Sequence, residues 1–338
     1  MRPYRLSALA AALAAVVVSA ADVGAGPVGA AGAPPAAGSV AVFFYPWWGT
    51  PTHDGAYEHW EQGGNDPPLA IASNFYPARG VYSSADTGVL RAQMSDIAAA
   101  KIDTLIVSWW GTGSIEDARL PAVMAAARSA GLHVAIHIEA YAGRTPATVA
   151  GDVARLRGLG VTDFYIYDSA ATDDASWAAV SRTLTGVRLF ADTPLPGKAA
   201  AGGFAGLYTY DVYTYSGSSF VRVCASARRL GLVCAPSVGP GYDGRRATGQ
   251  PFVRPRLDGA TYDWMWRQAV AAHASIVTIT SYNEWHEGTQ IEPARDGRPG
   301  YQSYDGAWGL HGKPAQRAYL DRTAFWVERY RARLGATQ

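Results

Sequence analysis

Ile276-Val-Thr-Ile-Thr-Ser-Tyr-Asn-Glu-Trp285 is the last of eight short β-branched or aromatic runs, and it completes the count on which the architecture turns. The other seven are Ala41–Trp48, Thr104–Gly111, His133–Tyr141, Asp163–Ser169, Arg188–Thr193, Gly206–Val212 and Leu232–Val238. Runs of this kind read as strands. Stretches of helical periodicity lie between them, among them Val89–Lys101, Pro121–Ala130, Pro146–Leu159 and Phe220–Leu230. Gly131, Gly160 and Gly231 each follow such a stretch and precede a strand, where a left-handed cap ends a helix. Thr145-Pro146 pairs an N-cap hydroxyl with a proline in the first turn. Eight strand–helix units over about 300 residues predict an α/β fold, a single (β/α)8 TIM barrel spanning residues 39–338. An open doubly wound sheet is the competing arrangement. The count of eight is the argument for closure.

A barrel of this kind carries its site at the C-terminal ends of the strands. Those ends hold Tyr45, Trp47 and Trp48, then Trp109 and Trp110, then His137, Glu139 and Tyr141. Tyr167 and Asp168, Asp192, Tyr210 and Asp211 follow, and the eighth run adds Asn283, Glu284 and, just beyond it, Glu287. The chain has eight glutamates, and three of them, Glu284, Glu287 and Glu292, crowd into Ser281–Glu292. Just past a strand end, a spacing of three brings Glu284 and Glu287 to one pocket. Two neighbouring carboxyls can hold different protonation states, one acid and one base, as glycoside cleavage requires. Trp285 and Trp110 are candidate stacking faces. The plainer alternative is a charged surface loop.

Composition narrows the partners. With 29 Lys+Arg against 28 Asp+Glu the chain is close to neutral, which argues against nucleic acid, whose binding needs excess cations. Eleven Trp and 19 Tyr against nine Phe suit the faces and hydroxyls of sugars, or equally a large core with wet rims. Arg2 and Arg5, the apolar run Leu6–Ala21 and the small residues Val18-Ser19-Ala20 read as a secretory signal, and the Ala/Gly/Pro-rich Gly24–Gly38 as a spacer. Residues 1–38 are thus set apart from the fold, with no cysteine for a lipid anchor and no later segment long enough to span a bilayer. The expectation is a neutral, secreted monomer. Cys224 sits in a helical pattern and Cys234 in the next strand, so a helix-to-strand disulfide and two buried thiols are both open. Their spacing does not suit zinc.

Other motifs fail. His286-Glu287 starts an HExxH pattern, but Gln290 stands where the second histidine belongs. Gly239-Pro-Gly-Tyr-Asp-Gly244 matches GxGxxG after a strand, yet runs into Arg245-Arg246 and a Gly/Pro-rich loop instead of opening a helix. Phosphate-loop and GxSxG signatures are missing. Of the seven histidines only His137 and His286 fall at strand ends. Neither a cofactor nor a metal is expected.

Several blocks together resemble the endo-α-mannosidases of glycoside hydrolase family 99. They are Phe43-Phe-Tyr-Pro-Trp-Trp-Gly49, Asp54-Gly-x-Tyr-x-His-Trp60, Tyr82-Ser-Ser84 and Val107-Ser-Trp-Trp-Gly111, followed by His137-Ile-Glu139 and Tyr165-Ile-Tyr-Asp-Ser169. Pro236-Ser-Val-Gly-Pro-Gly-Tyr242 and Thr280 through Pro293 complete the order, and Asn-Glu-Trp-His-Glu-Gly-Thr-Gln-Ile-Glu is the most specific block. The resemblance implies metal-free, retaining, endo-acting hydrolysis of α-1,2-mannosidic bonds in an α-mannan or a mannose-rich oligosaccharide. It implies attack by the substrate's own 2-hydroxyl, through a 1,2-anhydro sugar. Glu284 would be the base on that hydroxyl, and Glu287 the acid that later activates water. Tyr45, His59, Trp110, His137, Glu139, Tyr210, Asn283 and Trp285 would meet the substrate. His137-Ile-Glu-Ala-Tyr141 departs from the family's proline, and the segment from Tyr141 to Asp163 is short, which leaves linkage and substrate length open. Trp110 resembles the bacterial mannan-degrading members. Another α-linked glycan cleaved by double displacement, or a non-catalytic carbohydrate-binding barrel, are the rival readings.

Overall fold

The structure, a computed structural model, describes residues 38–335, so the leader and spacer read in the sequence lie outside it but for Gly38. Eight parallel strands close into a barrel: β1 Ser39–Phe44, β2 Thr104–Trp109, β3 His133–Ile138, β4 Asp163–Ile166, β5 Arg188–Asp192, β6 Gly206–Thr209, β7 Val233–Val238 and β8 Ile276–Ile279. One main helix follows each strand: α1 Thr87–Ala99, α2 Ile115–Ser129, α3 Pro146–Arg157, α4 Asp174–Ser181, α5 Pro196–Ala201, α6 Phe220–Arg229, α7 Ala260–Ala271 and α8 Ala318–Gly335. Closure is visible at one residue. Val42 of β1 pairs with Leu105 of β2 on one edge and with Ile279 of β8 on the other. β8 therefore stands between β1 and β7, which later decides what flanks the site.

The strands are buried on both faces, β1 and β2 along their whole length, which is why they read as unbroken apolar runs without alternation. Six of them stop two to six residues short of the sequence reading at the mouth, whereas β5 stops one residue short and β7 ends at Val238 as expected. Tyr45, Trp47 and Trp48 lie beyond the end of β1, and residues 280–285 beyond the end of β8. Aromatic composition continues there, but the chain has left the ladder to build the pocket. Inside the barrel, Phe43, Tyr165, Phe190 and Tyr208 come from four strands and pack ring against ring. They form a solid floor under the strand ends.

Helix starts follow local chemistry. Asp86 caps α1 by accepting from Gly88 N and Val89 N, and Thr145 and Thr148 bond each other's backbone N–H to start α3. The expected start of the second helix at Pro121 is wrong. Ser114 accepts from Asp117 N at 3.1 Å, Glu116 and Asp117 occupy the first turn, and α2 begins at Ile115 with Pro121 inside it. Cap and dipole outweigh the proline, which forfeits one interior hydrogen bond. Gly131, Gly160 and Gly231 take positive φ of 76°, 91° and 70°, as expected of them. The Gly239–Gly244 segment enters a two-residue antiparallel ladder, Tyr242–Asp243 with Val253–Arg254, and opens only one helical turn, Arg245–Thr248. Cys224 of α6 and Cys234 of β7 form a disulfide, Cα atoms 5.3 Å apart, which settles the open pairing. Among the described residues no helix is long and apolar enough to cross a membrane.

Candidate active site

Beyond β8 the chain folds back on itself at a narrow neck. Ser281 N donates to Thr289 O and Ile291 N to Ser281 O, both at 2.9 Å. Tyr282 N donates to Phe43 O at 2.8 Å, fastening the neck to β1. Glu284 N donates to Ser281 Oγ at 2.8 Å, which turns the segment 284–287 into the barrel mouth. Two more anchors fix its far side: Asp243 N donates to Glu287 O at 2.7 Å, and Arg256 Nη2 donates to Gly288 O and Gln290 O at 2.9 and 2.7 Å.

The three clustered glutamates fall into two environments. Glu292 is fully buried and satisfied: Arg79 Nε at 2.9 Å and Gln93 Nε2 at 3.0 Å meet one oxygen, Tyr82 OH at 2.7 Å and Trp285 Nε1 at 3.0 Å the other. It holds the loop to α1 and takes no part in the pocket. Glu284 and Glu287 are different. Burial raises the proton affinity of both, and the Glu287 charge pushes Glu284 up further. The Asp211 and Glu139 carboxylates push Glu287 in the same direction, while its bond from Tyr210 OH, at 3.3 Å, opposes them. The His286 N–H, 2.9 Å from Glu284 Oε1, favours the Glu284 carboxylate. The two titrate as a unit that keeps a proton above the ordinary carboxylate range. Such a unit can donate a proton on one side and accept one on the other.

Around the pair, Tyr45 and Tyr210 share a short hydroxyl–hydroxyl hydrogen bond, so Glu287, Tyr210 and Tyr45 form one chain of polar atoms. His137 lies parallel to Tyr210 at 5.3 Å, with Nε2 2.8 Å from Tyr208 OH. Its Nδ1 is 2.9 Å from Glu139 Oε1 but off the line of a hydrogen bond, and Ser108 Oγ donates to that oxygen at 2.7 Å. His59, at positive φ, stacks on Trp47 at 4.6 Å, and its carbonyl accepts from His286 Nε2 at 2.7 Å. Burial pulls both His59 and His286 down to about 4, so each is neutral at physiological pH. Trp110 stands 39% exposed, 6.5 Å from Trp47.

Eight of the ten sequence-derived residues thus converge: Glu284, Glu287, Tyr45, Tyr210, His137, Glu139, His59 and Trp110. Trp285 and Asn283 do not reach the opening. Both are 0% exposed; Trp285 is tied to Glu292 and Tyr82, and Asn283 clamps the Tyr45 backbone through Oδ1 at 2.8 Å and Nδ2 at 2.9 Å. They position their neighbours, because each polar edge is already used inside the protein. Trp47, Ser108 and Arg256 also touch the site residues or their loop, and the sequence reading names none of them as a substrate contact. Trp47 had a signal in its place at a strand end, whereas Arg256 had none. Among the described residues no group of His, Cys, Asp and Glu is arranged to hold a metal ion.

Residues 36–332 match the model of glycosyl hydrolase family 99. The chain belongs to this family. It is a glycoside hydrolase, and relatives of known structure and name agree in extent. It is 31% identical to a glycoprotein endo-alpha-1,2-mannosidase of Xenopus laevis over 88% of this chain and 78% of that one. It is also 31% identical to a glycoprotein endo-alpha-1,2-mannosidase-like protein of Danio rerio, over 86% and 77%. The GH99 endo-alpha-mannosidase structure from Bacteroides thetaiotaomicron superimposes with a TM-score of 0.76 at 29% identity, covering 88% of this chain and 98% of that one.

In this family 99 hydrolase Arg256 is a support behind the glutamate loop. Its guanidinium lies 4.5, 4.8 and 4.6 Å from the rings of Phe75, Tyr304 and Tyr319, an aromatic cage that holds the cation while Nη2 ties two loop carbonyls. Arg256→Met keeps much of the volume but leaves the Gly288 carbonyl without its donor and the Gln290 carbonyl with only Tyr304 OH, at 3.0 Å. The expected result is a folded enzyme with kcat lowered about tenfold and KM little changed. Steady-state kinetics beside a melting curve checks this, and an unchanged kcat would remove Arg256 from the supporting framework.

Proposed function

We propose that the chain is an exported, retaining, endo-acting hydrolase of internal α-1,2-mannosidic bonds in a mannan or a mannose-rich glycan. The observation that carries this reading is the buried Glu284/Glu287 pair, kept partly protonated by desolvation and by its own mutual repulsion. Two relatives carry endo-alpha-1,2-mannosidase names, and Trp110, by its resemblance to the bacterial mannan-degrading members, favours a mannan. The Cys224–Cys234 bridge agrees with export by residues 1–38 to an oxidising compartment.

In the proposed reaction Glu284 takes the proton of the 2-hydroxyl as O2 bonds to the anomeric carbon. Glu287 delivers its proton to the departing glycosidic oxygen as that bond breaks. In an α-mannoside the axial O2 is antiperiplanar to the leaving oxygen, so the displacement is in line. Water then opens the 1,2-anhydro ring, giving a proton to Glu287 while O2 recovers its own from Glu284. Two inversions leave the configuration retained. Tyr45, His59, Trp110, His137, Glu139 and Tyr210 are assigned to sugar contacts, and Asn283 and Trp285 to holding the pocket wall.

Mass spectrometry of products from yeast α-mannan and from a glucosylated high-mannose glycan tests the reading. Release of disaccharides or larger pieces is the expected result; cleavage of neither would overturn it. The pH profile is a second test. Activity needs one proton on the pair, so kcat/KM should be bell-shaped, its alkaline limb lying above the ordinary carboxylate range. The same shift has a stability consequence. Both folded-state affinities exceed the unfolded ones, so stability is full below the ordinary carboxylate range and declines as pH rises and the buried pair ionises. Tm should fall along that limb, and less so in Glu284→Gln.

A further inference from the structure

A second line of aromatic rings leaves the site on the side away from Trp47 and Trp110. Because β8 stands between β1 and β7, its glutamate loop has two flanks. One is the β1–β2 flank, with Trp47, His59 and Trp110. The other follows β6 and β7. There Tyr242 lies next to Asp243, whose N–H holds the Glu287 carbonyl at 2.7 Å. The Tyr242 ring is 5.8 Å from Tyr213, and Tyr213 is 5.0 Å from Phe252. Tyr242 and Tyr213 are partly exposed, and Phe252 is 44% exposed.

These rings are held in place. Tyr242 pairs with Arg254 in the two-residue ladder, and Arg254 donates to the carbonyls of Val212 and Tyr213, Nε to Val212 O at 2.6 Å. Asp211 accepts from Tyr213 N at 2.8 Å and from Thr214 N at 3.2 Å, fixing the turn that carries the ring. Arg245 is clamped on Asp243 by two bonds, at 2.8 and 2.7 Å, and its side chain remains 55% exposed. Rigid, half-exposed rings beside a fixed guanidinium suit a carbohydrate: the rings take the apolar faces of sugars and the cation their hydroxyls. A lone exposed Phe252 would need no explanation; continuity with Tyr242 and the Glu287 anchor gives it one.

We propose that Tyr242, Tyr213 and Phe252 form a distal subsite track for the leaving-group arm of the glycan. The direction follows from Glu287, which in the proposed reaction faces the departing oxygen, so the arm attached to that oxygen exits over the loops packed on Glu287. The β1–β2 flank then holds the arm that retains the anomeric carbon. This deepens the proposed function and rests on it.

The test compares kcat/KM on long α-1,2-linked manno-oligosaccharides with kcat/KM on a short aryl mannobioside, whose single-ring leaving group stops before Tyr213. For Phe252→Ala and Tyr213→Ala the long-to-short ratio should fall about tenfold relative to wild type, and Phe252→Trp should restore it. Product lengths should shift as the leaving arm loses its register. An unchanged ratio, or equal losses on both substrates, would overturn the track while leaving the mannosidase reading intact. A wild-type enzyme that cleaves neither substrate would overturn that reading, and the track with it.

Discussion

Glu287→Gln should lower turnover of α-mannan about 10²- to 10⁴-fold, the usual contribution of a positioned proton donor. The amide has the shape of the acid and keeps the contact to Tyr210, so the barrel and the Glu292 network should be untouched. The loss should depend on the leaving group. A dinitrophenyl mannoside needs no protonation to depart, so its first step should be nearly unaffected. Opening of the anhydro ring then lacks a base for water. Azide, which needs none, should accelerate turnover and appear in the product as the α-mannosyl azide. Equal losses on mannan and on the activated substrate, with no response to azide, would take the acid role away from Glu287.

Glu284→Gln should be as damaging, for a different reason. The nucleophile in the proposed reaction belongs to the substrate, and Glu284 only removes its proton, so no leaving group compensates. For the same reason the wild-type enzyme should not turn over a substrate with fluorine in place of the reacting 2-hydroxyl. Intact-mass measurement should find no covalent adduct. A trapped glycosyl-enzyme ester at either glutamate would sink the anhydro route in favour of double displacement. The double variant should lose little more than either single one, since acid and base act in the same transition state.

Much of this molecule was legible before folding. Eight apolar runs separated by helical periodicity lead to the barrel, and the glutamate density of Ser281–Glu292 marks the segment that carries the buried pair. Boundaries were less legible. Most of the runs extend past the strands because the mouth is as aromatic as the core, and helical periodicity is clear only from Pro121 although the Ser114 cap starts the helix upstream. Helix and strand signals report local burial and backbone preference, and they carry no information on which way a loop side chain turns.

Local order in the chain therefore determined the architecture and the identity of the loop. The partition of its residues was decided only in three dimensions. Glu292 and Trp285 face inward because Arg79, Gln93 and Tyr82 satisfy them there, and Asn283 is spent on Tyr45, 238 residues away. Arg256 comes to the loop through an aromatic cage drawn from three separate segments. The two aromatic flanks exist because closure sets β8 between β1 and β7. The unusual protonation of Glu284 and Glu287 is likewise a tertiary property. A carboxyl's affinity for its proton depends on how much water surrounds it and which charges face it, and in this chain both were set by the closing of the barrel.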